Sequence, residues 1–121
     1  MDIRTKIVTA LSGVGAPAYW MKWAGDTNPP ATYITFQTVN RPDLSADDTL
    51  HEREHFVYLD VFSETDPYPT AMLVRSAMAS AGFYEVEMRD VGQETMSVTE
   101  LRDYHIAFTF SYLEDVRVQV V

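Results

Sequence analysis

The sequence predicts a single α+β domain, a two-layer arrangement in which two helices pack on one face of a mixed or antiparallel sheet, in the order α-β-β-α-β-β. Two segments place apolar residues at helical spacing behind a capping residue, and four others show the alternation that is typical of strands. A chain of 121 residues buries roughly two-thirds of its unfolded surface, which suffices for one core. We therefore expect residues 1–121 to form one domain, with 114–121 as a possible strand-forming tail.

The first half of the chain predicts one helix and one strand. Asp2 is a capping residue for a helix whose apolar positions recur at near-helical spacing, and the glycines before Pro17 end that helix. Residues 18–30 combine aromatic residues with Gly, Asn and Pro, which predicts an irregular loop. A strand follows over 31–39, and a polar loop over 40–50. The apolar positions of the helix are Ile3, Ile7, Leu11 and Val14.

The second half predicts a strand, a helix and two further strands. The strand that ends at Phe62 has apolar residues on both faces, which favours a place in the middle of the sheet. Asp66-Pro67 is a typical helix start, and Gly82 closes the alanine-rich helix as a left-handed cap would. A third strand begins at Phe83. Alternation of large apolar with small or polar residues makes the strand over 104–112 the clearest element.

Composition and charge exclude several classes of function. The chain has no cysteine, which removes disulfides, thiolate metal sites and cysteine nucleophiles. Nine Lys and Arg stand against eighteen Asp and Glu, and a net charge of -9 is the wrong sign for a protein that binds nucleic acid by sequence. No stretch approaches the length and apolarity of a membrane span. We expect no cofactor, no resident metal and no membrane partner.

One pentapeptide, His51-Glu52-Arg53-Glu54-His55, matches the zinc-protease signature H-E-x-x-H. That chemistry requires a helix, since histidines four apart then lie one turn apart and share one metal ion. Here the segment continues into the alternating residues that end at Phe62, which predicts a strand. We therefore interpret it as a charged strand end whose side chains face water or a partner, with no catalytic and no metal-binding role.

Other candidate sites are weaker. Gly13-Val14-Gly15 lacks the third glycine and the preceding strand of a dinucleotide-binding motif, and we interpret it as a helix stop. The acidic residues of the loop after the first strand do not have the spacing of a calcium loop, which favours a solvated acidic loop. His105 lies in the clearest strand and is expected to be a hydrogen-bonded structural residue. The acids of that loop are Asp43, Asp47 and Asp48.

Two apolar groups are candidates for contacts with other chains. The aromatic residues of the loop before the first strand either cover the edge of the core or contact a partner. The C-terminal residues alternate in a way that prolongs the sheet or adds a strand to a neighbouring subunit. These residues are Tyr19, Trp20 and Trp23 in the loop, and Val116, Val118 and Val120 at the C-terminus.

Five segments in order resemble the tail-completion, or tail-terminator, proteins of long-tailed bacteriophages, whose fold is similar to that of the phage lambda tail terminator. Tyr33-Ile34-Thr35-Phe36 precedes the acidic loop with Ala46-Asp47-Asp48. The strand Val57-Tyr58-Leu59-Asp60-Val61-Phe62-Ser63 follows. Met78-Ala79-Ser80-Ala81-Gly82-Phe83 comes after the helix, and Tyr104-His105-Ile106-Ala107-Phe108-Thr109-Phe110-Ser111-Tyr112 completes the series. The resemblance covers most of residues 31–113.

The resemblance implies a structural virion protein without catalytic activity. Such proteins form a ring, commonly of six subunits, which caps the tail tube, ends its polymerisation and provides the head-tail joining surface. The implied partners are other copies of the chain, the tail tube protein, the head-tail connector proteins, and DNA that passes through the lumen without sequence-specific binding. The implied location is the head-proximal end of the virion tail, after assembly in the cytoplasm of the bacterial host.

The acidic surplus suits a conduit for DNA, because acids that face a lumen repel the phosphate backbone. The acids expected at the lumen cluster in and after one loop, although an outer solvated face fits them equally well. They are Asp43, Asp47, Asp48, Glu52 and Glu54. Two other hypotheses stay open at this point: a small zinc-dependent hydrolase that uses His51, Glu52 and His55, and a binding module whose aromatic loop grips a peptide or small ligand.

Overall fold

The structure is a computed structural model that describes residues 2–22, 30–44, 50–91 and 104–115; for 42–44, 50–52 and 115 it describes the backbone alone. These residues form two helices and five strands, which confirms the α+β class. The predicted element order is wrong in one respect, since a short strand precedes the two long ones. In chain order the elements are α1 (Ile3–Leu11), β1 (Ala18–Trp20), β2 (Thr32–Leu44), β3 (Leu50–Ser63), α2 (Tyr68–Ser80), β4 (Tyr84–Asp90) and β5 (Tyr104–Asp115).

The five strands form one mixed sheet in the order β1-β2-β3-β5-β4. β1 runs parallel to β2, and the other three pairs are antiparallel. β3 occupies the middle, as its two apolar faces predicted. Since β2 and β5 both run antiparallel to β3, they run parallel to each other.

Helix α1 begins at the predicted cap. The Asp2 carboxylate accepts a hydrogen bond from the Thr5 backbone N–H at 2.9 Å, and this bond holds the pKa of Asp2 below its ordinary value. The helix ends at Leu11, before the glycines that predicted its stop, and Gly15 adopts a left-handed φ of 89°. Val14, predicted on the helix, lies just past its end but is buried with the core.

The predicted loop over 18–30 is wrong at its start, because Ala18–Trp20 forms strand β1. The Ile34 N–H donates to the Pro17 carbonyl at 2.8 Å, and the Met21 N–H donates to the Phe36 carbonyl at 2.7 Å. Met21 then adopts a left-handed φ of 72°, which ends the strand. Three residues are too few to show a strand period, so the sequence pattern alone does not reveal β1.

The predicted loop over 40–50 is wrong at both ends, because β2 continues to Leu44 and β3 begins at Leu50, whereas residues 45–49 lie outside the described part of the chain. Polar side chains in this part satisfy each other across the two strands. Arg41 pairs with Glu54 at 3.0 Å, and Arg53 donates to the Asn40 side-chain oxygen at 2.9 Å. A polar segment was interpreted as a loop, but cross-strand pairs stabilise it as strand.

Helix α2 matches its prediction. The Asp66 carboxylate accepts a hydrogen bond from the Tyr68 N–H at 3.0 Å, and Pro67 stands at the helix start. Gly82 closes the helix with a left-handed φ of 91°. The strand after it, β4, is the one predicted to begin beside Phe83, with its first paired residue at Tyr84.

The core is one cluster to which both helices and the strands β2, β3 and β5 contribute. The alternation predicted for β3 and β5 is confirmed in their central parts, since every second residue is buried from Val57 to Val61 and from Ile106 to Phe110. The least exposed of these side chains are Ile7, Leu11, Ile34, Phe36, Val57, Leu59, Val61, Ala71, Val74, Met78, Ile106, Phe108 and Phe110.

Candidate interaction surface

The zinc-protease pentapeptide His51–His55 lies within β3 and is extended, which confirms the predicted strand. Four residues of strand span about 13 Å. Two histidines that share a zinc ion must each bring a nitrogen to about 2.1 Å from it. Strand β3 is also paired on both sides, with β2 and with β5, so this segment cannot become helical without dismantling the middle of the sheet.

The surroundings of His55 correct one expectation. Its side chain was predicted to face water or a partner, but it is only 8% exposed and lies against the ring of Tyr112. The His55 Nε2 atom is 3.3 Å from a carboxylate oxygen of Glu114. The reason is strand parity, because His55 lies on the same face as the core residues Val57 and Leu59. A packed histidine with one carboxylate partner has the surroundings of a structural residue.

His105 is hydrogen-bonded, as predicted: its Nε2 atom lies 2.6 Å from a carboxylate oxygen of Asp60. Its ring stacks on Phe62 at 4.3 Å, and Phe62 stacks on Tyr33 at 5.0 Å, on the sheet face opposite the core cluster. A His–Asp pair is the base half of a hydrolytic triad. The other ring nitrogen, Nδ1, has no hydrogen-bond partner among the described residues, so none of their hydroxyls is held there as a nucleophile.

Metal-ligand groups do not converge in the described part of the chain. Among the side chains that the structure describes, no three His, Asp or Glu groups lie close enough together to hold a metal ion. This set includes His55, Asp60 and His105, whereas the side chains of His51 and Glu52 are outside it.

The aromatic residues predicted to cover the core edge or contact a partner lie in different surroundings. Tyr19 is half-buried and meets the Tyr33 ring edge-on at 6.5 Å, so it covers the edge of the sheet. Trp20 is 51% exposed, with the Arg4 guanidinium 4.7 Å above its ring. Trp20 and Val8 line an open groove of about 360 Å³ beside helix α1. Trp23 lies outside the described residues.

Beyond the ends of β1 and β4, the strands β2, β3 and β5 continue by themselves. We call this part the distal ribbon and define it as residues 40–44, 50–55 and 112–115. β1 pairs with β2 only as far as Phe36, and β4 pairs with β5 only as far as Ser111. In the described part of the chain, no strand therefore pairs with the outer edge of β2 after Phe36 or with that of β5 after Ser111.

Backbone direction identifies which groups these two edges present. The Ile34 N–H and the Phe36 carbonyl point toward β1, so the even-numbered residues of β2 face outward as far as the irregularity after Asp43. The His105 carbonyl accepts from the Val91 N–H, so the odd-numbered residues of β5 face away from β3. Sequence reasoning missed these open edges. The feature that indicates these open edges is the greater length of β2 and β3 compared with β1, which has only three residues.

The predicted lumen acids fall at the distal ribbon or outside the described residues. Asp43 and Glu52 are register partners on β2 and β3, and Glu52 is in turn opposite Asp115 on β5. Glu54 pairs with Arg41, which offsets its charge. Asp47 and Asp48 lie outside the described residues, as do Val116, Val118 and Val120 of the predicted tail contact.

Comparison with known proteins identifies no relative: no protein-family model matches the chain, and no curated protein is significantly similar to it. Neither helix in the described ranges has the length and apolarity needed to cross a membrane.

Proposed function

We propose that the protein is a structural virion component that caps the phage tail tube as a ring, as the sequence resemblance implies. The ring, of six subunits, ends tube polymerisation and joins the tail to the connector proteins of the head. In this proposal the two helices cover one face of the sheet in a two-layer domain, and the subunit works by shape and self-association. It has no catalytic role and no resident metal.

The pair of open strand edges is the observation that supports self-association. A closed ring needs two different, complementary patches on each subunit, so that every copy binds the next in the same way. The edges of β2 and β5 are different, lie on opposite sides of β3 and run in the same direction.

The acidic residues of the distal ribbon support passage of DNA. Asp43, Glu52 and Asp115 follow one another in register across the three strands. Like charges directly opposite one another destabilise a sheet, so their presence in one row indicates a requirement other than stability. In the proposed ring these acids face the lumen and repel the phosphate backbone of DNA, so that it slides through.

The test is to delete the gene for this chain from an assembling phage and to examine the tails by negative-stain electron microscopy. The proposal predicts over-long tails, or tails that fail to join heads. Supplying the wild-type chain from a plasmid restores normal particles, and so does a His51→Ala/His55→Ala chain, because no step requires those imidazoles. Normal virions without the chain would contradict the proposal, and rescue that fails only with the histidine variant would favour the hydrolase instead.

A further inference from the structure

We propose that neighbouring copies of this chain dock through two unlike surfaces, with Lys22 of one copy seated against tyrosine rings and beside Asp90 of the next. The two surfaces lie at opposite ends of the strand order, at β1 and at β4. The docking rests on the proposed function only in taking the second copy to be a ring neighbour. It is separate from the open edges of the distal ribbon.

The first surface, at the end of β1, combines positive charge with exposed apolar side chains. Trp20 and Met21 are each 51% exposed, and the Arg4 guanidinium lies 4.7 Å from the centre of the Trp20 ring. Lys22 is exposed and has no ion-pair partner among the described residues. Exposed Trp, Met and Arg side chains are enriched at protein interfaces. We call this group the basic surface and define it as Arg4, Trp20, Met21 and Lys22.

The second surface is a pocket of about 320 Å³ where α2 begins, β4 ends and β5 begins. We call it the tyrosine pocket and define it as Asp66, Tyr68, Asp90 and Tyr104. Tyr68 is 51% exposed and Tyr104 is 50% exposed. The Asp90 side chain has no hydrogen-bond or ion-pair partner among the described residues. His105 also lines the pocket, with its Nε2 atom 2.6 Å from a carboxylate oxygen of Asp60.

The charges of the two surfaces are complementary. Residues 2–22 hold three cations and one anion, in a chain whose net charge is -9. The described residues that line the tyrosine pocket include two carboxylates and neither Lys nor Arg. A second copy of this chain therefore offers the pocket a positive surface, and the pocket offers that surface the carboxylates that it lacks.

The tyrosine pocket has the chemistry that binds an alkylammonium group. The face of a tyrosine ring attracts a cation, and a carboxylate accepts a charge-assisted hydrogen bond from an ammonium. The apolar stem of a lysine lies along such rings while its charged end reaches the acid. The chain has two lysines, and the other one, Lys6, already lies over the Tyr112 ring at 4.9 Å. Lys22 is therefore the lysine that fits the pocket of another copy.

The contact forms only between copies. β1 and β4 are the first and last strands of the sheet, so four strand spacings, about 19 Å, separate them. Lys22 follows β1 and Asp90 ends β4, so these two residues cannot meet within one copy. Because every copy carries both surfaces at opposite sides of its sheet, each copy can bind the next in the same way, as a closed ring requires.

Zero-length cross-linking tests the contact, because a carbodiimide joins an amine only to a carboxylate that lies against it. A mixture of isotope-labelled and unlabelled full-length chains is treated at high concentration, and the linked peptides are identified by mass spectrometry. The proposal predicts an amide from Lys22 to Asp90 or Asp66, in peptides that combine a labelled and an unlabelled chain. Lys6 is the internal control, and its adduct with the same two acids should be at least about tenfold less abundant.

Charge reversal tests the same contact without a reagent. Lys22→Glu and Asp90→Lys each replace attraction with repulsion, and sedimentation should show association weakened about tenfold at each interface. The chain that carries both changes restores the complementary pair and should associate as the wild type does. Arg89→Glu and Glu87→Lys are matched controls, because they change the net charge equally at side chains 65% and 60% exposed outside both surfaces. They should change association less than about twofold.

Each outcome decides the inference. Absence of the Lys22 adduct between copies overturns the docking, and so does equal weakening by the control variants or a doubly reversed chain that does not associate. In treated particles, an adduct of Asp90 with a different protein and none with Lys22 assigns the pocket to that protein and overturns the docking too. A chain that terminates tails without the adduct removes the docking and leaves the proposed function. An adduct from a chain whose loss leaves virions normal does the reverse.

Discussion

The contrast between His55 and His105 shows that the role of a residue depends on the backbone that carries it. Both are histidines beside a carboxylate, at 3.3 Å from Glu114 and 2.6 Å from Asp60. His55 also completes a zinc-binding pattern, and on a helix that pattern would bring it to His51. In a paired strand it is instead packed against Tyr112. The alternation after the pentapeptide predicts the strand, but it does not predict that His55 is buried, since the sequence does not show that Tyr112 covers this face.

Metal analysis is the direct check on this interpretation. Purified protein equilibrated with zinc and then passed through a desalting column should retain far less than one zinc per chain, because four residues of extended strand β3 separate the backbones of His51 and His55 by about 13 Å. The measurement is metal content by mass spectrometry, with a His51→Ala/His55→Ala variant as control. One zinc ion per chain in the wild type, lost in the variant, would contradict the strand assignment.

Asp2 predicts a pH-dependent contribution to stability. Its bond from the Thr5 N–H holds its pKa below the ordinary value of 3.8. A depressed pKa stabilises the folded state above the ordinary pKa, and that contribution is lost as pH falls through the folded-state value. Relative to wild type, Asp2→Asn should therefore have the lower free energy of unfolding at neutral pH, and the difference should shrink on acidification. Urea unfolding at several pH values measures this difference in the free energy of unfolding. A difference that does not change with pH would contradict a stabilising charge on Asp2.

Phe108 tests the assignment of the core face. Its side chain is 2% exposed, so Phe108→Asp places a carboxylate where no water can reach it. Burying an unpaired charge costs several kcal/mol, comparable with the roughly 5–15 kcal/mol of stability of a typical domain. We expect an unfolded chain by circular dichroism. Tyr84→Asp, at a position 74% exposed, should stay folded, and equal behaviour of the two variants would contradict the assignment.

At the scale of elements, sequence patterns predict a helix or strand correctly where one face of it is buried. They fail where backbone hydrogen bonds at a sheet edge, or pairs of polar side chains, stabilise the element. Helix α2 and strand β5 were predictable because burial of one face imposes a period on their residues. β1 was missed because it is held by backbone hydrogen bonds over three residues. The distal end of β2 has the polar sequence of a loop because Arg41–Glu54 and similar pairs stabilise it without an apolar period.

Gly82 provides the test of how α2 ends. It adopts a left-handed φ of 91°, and an added Cβ would meet only the Tyr112 ring, at 3.7 Å. The cost of Gly82→Ala is therefore backbone strain, about 1–2 kcal/mol. Gly13→Ala, in open space and without a left-handed φ, should be neutral or slightly stabilising. Urea unfolding of both variants measures the difference, and equal stabilities would contradict the left-handed cap.

At the scale of the whole molecule, the strands in the described ranges form a sheet that is left unpaired along part of two edges. An open strand edge is a site for pairing with another chain, and proteins that do not use such edges protect them. Pro42 has no N–H to donate at the open edge of β2, which limits pairing along that edge. The sequence indicated a self-associating protein through its resemblance, but it could not locate these edges, since they depend on how far neighbouring strands extend.

We propose that this chain ends tail-tube growth by capping the tube. The most direct test adds purified chain to polymerising tail tube protein and measures tube lengths by electron microscopy. The account predicts that mean tube length falls as the ratio of chain to tube protein rises, with a ring of the chain at one end of each tube. Tube lengths that do not depend on the added chain would contradict it.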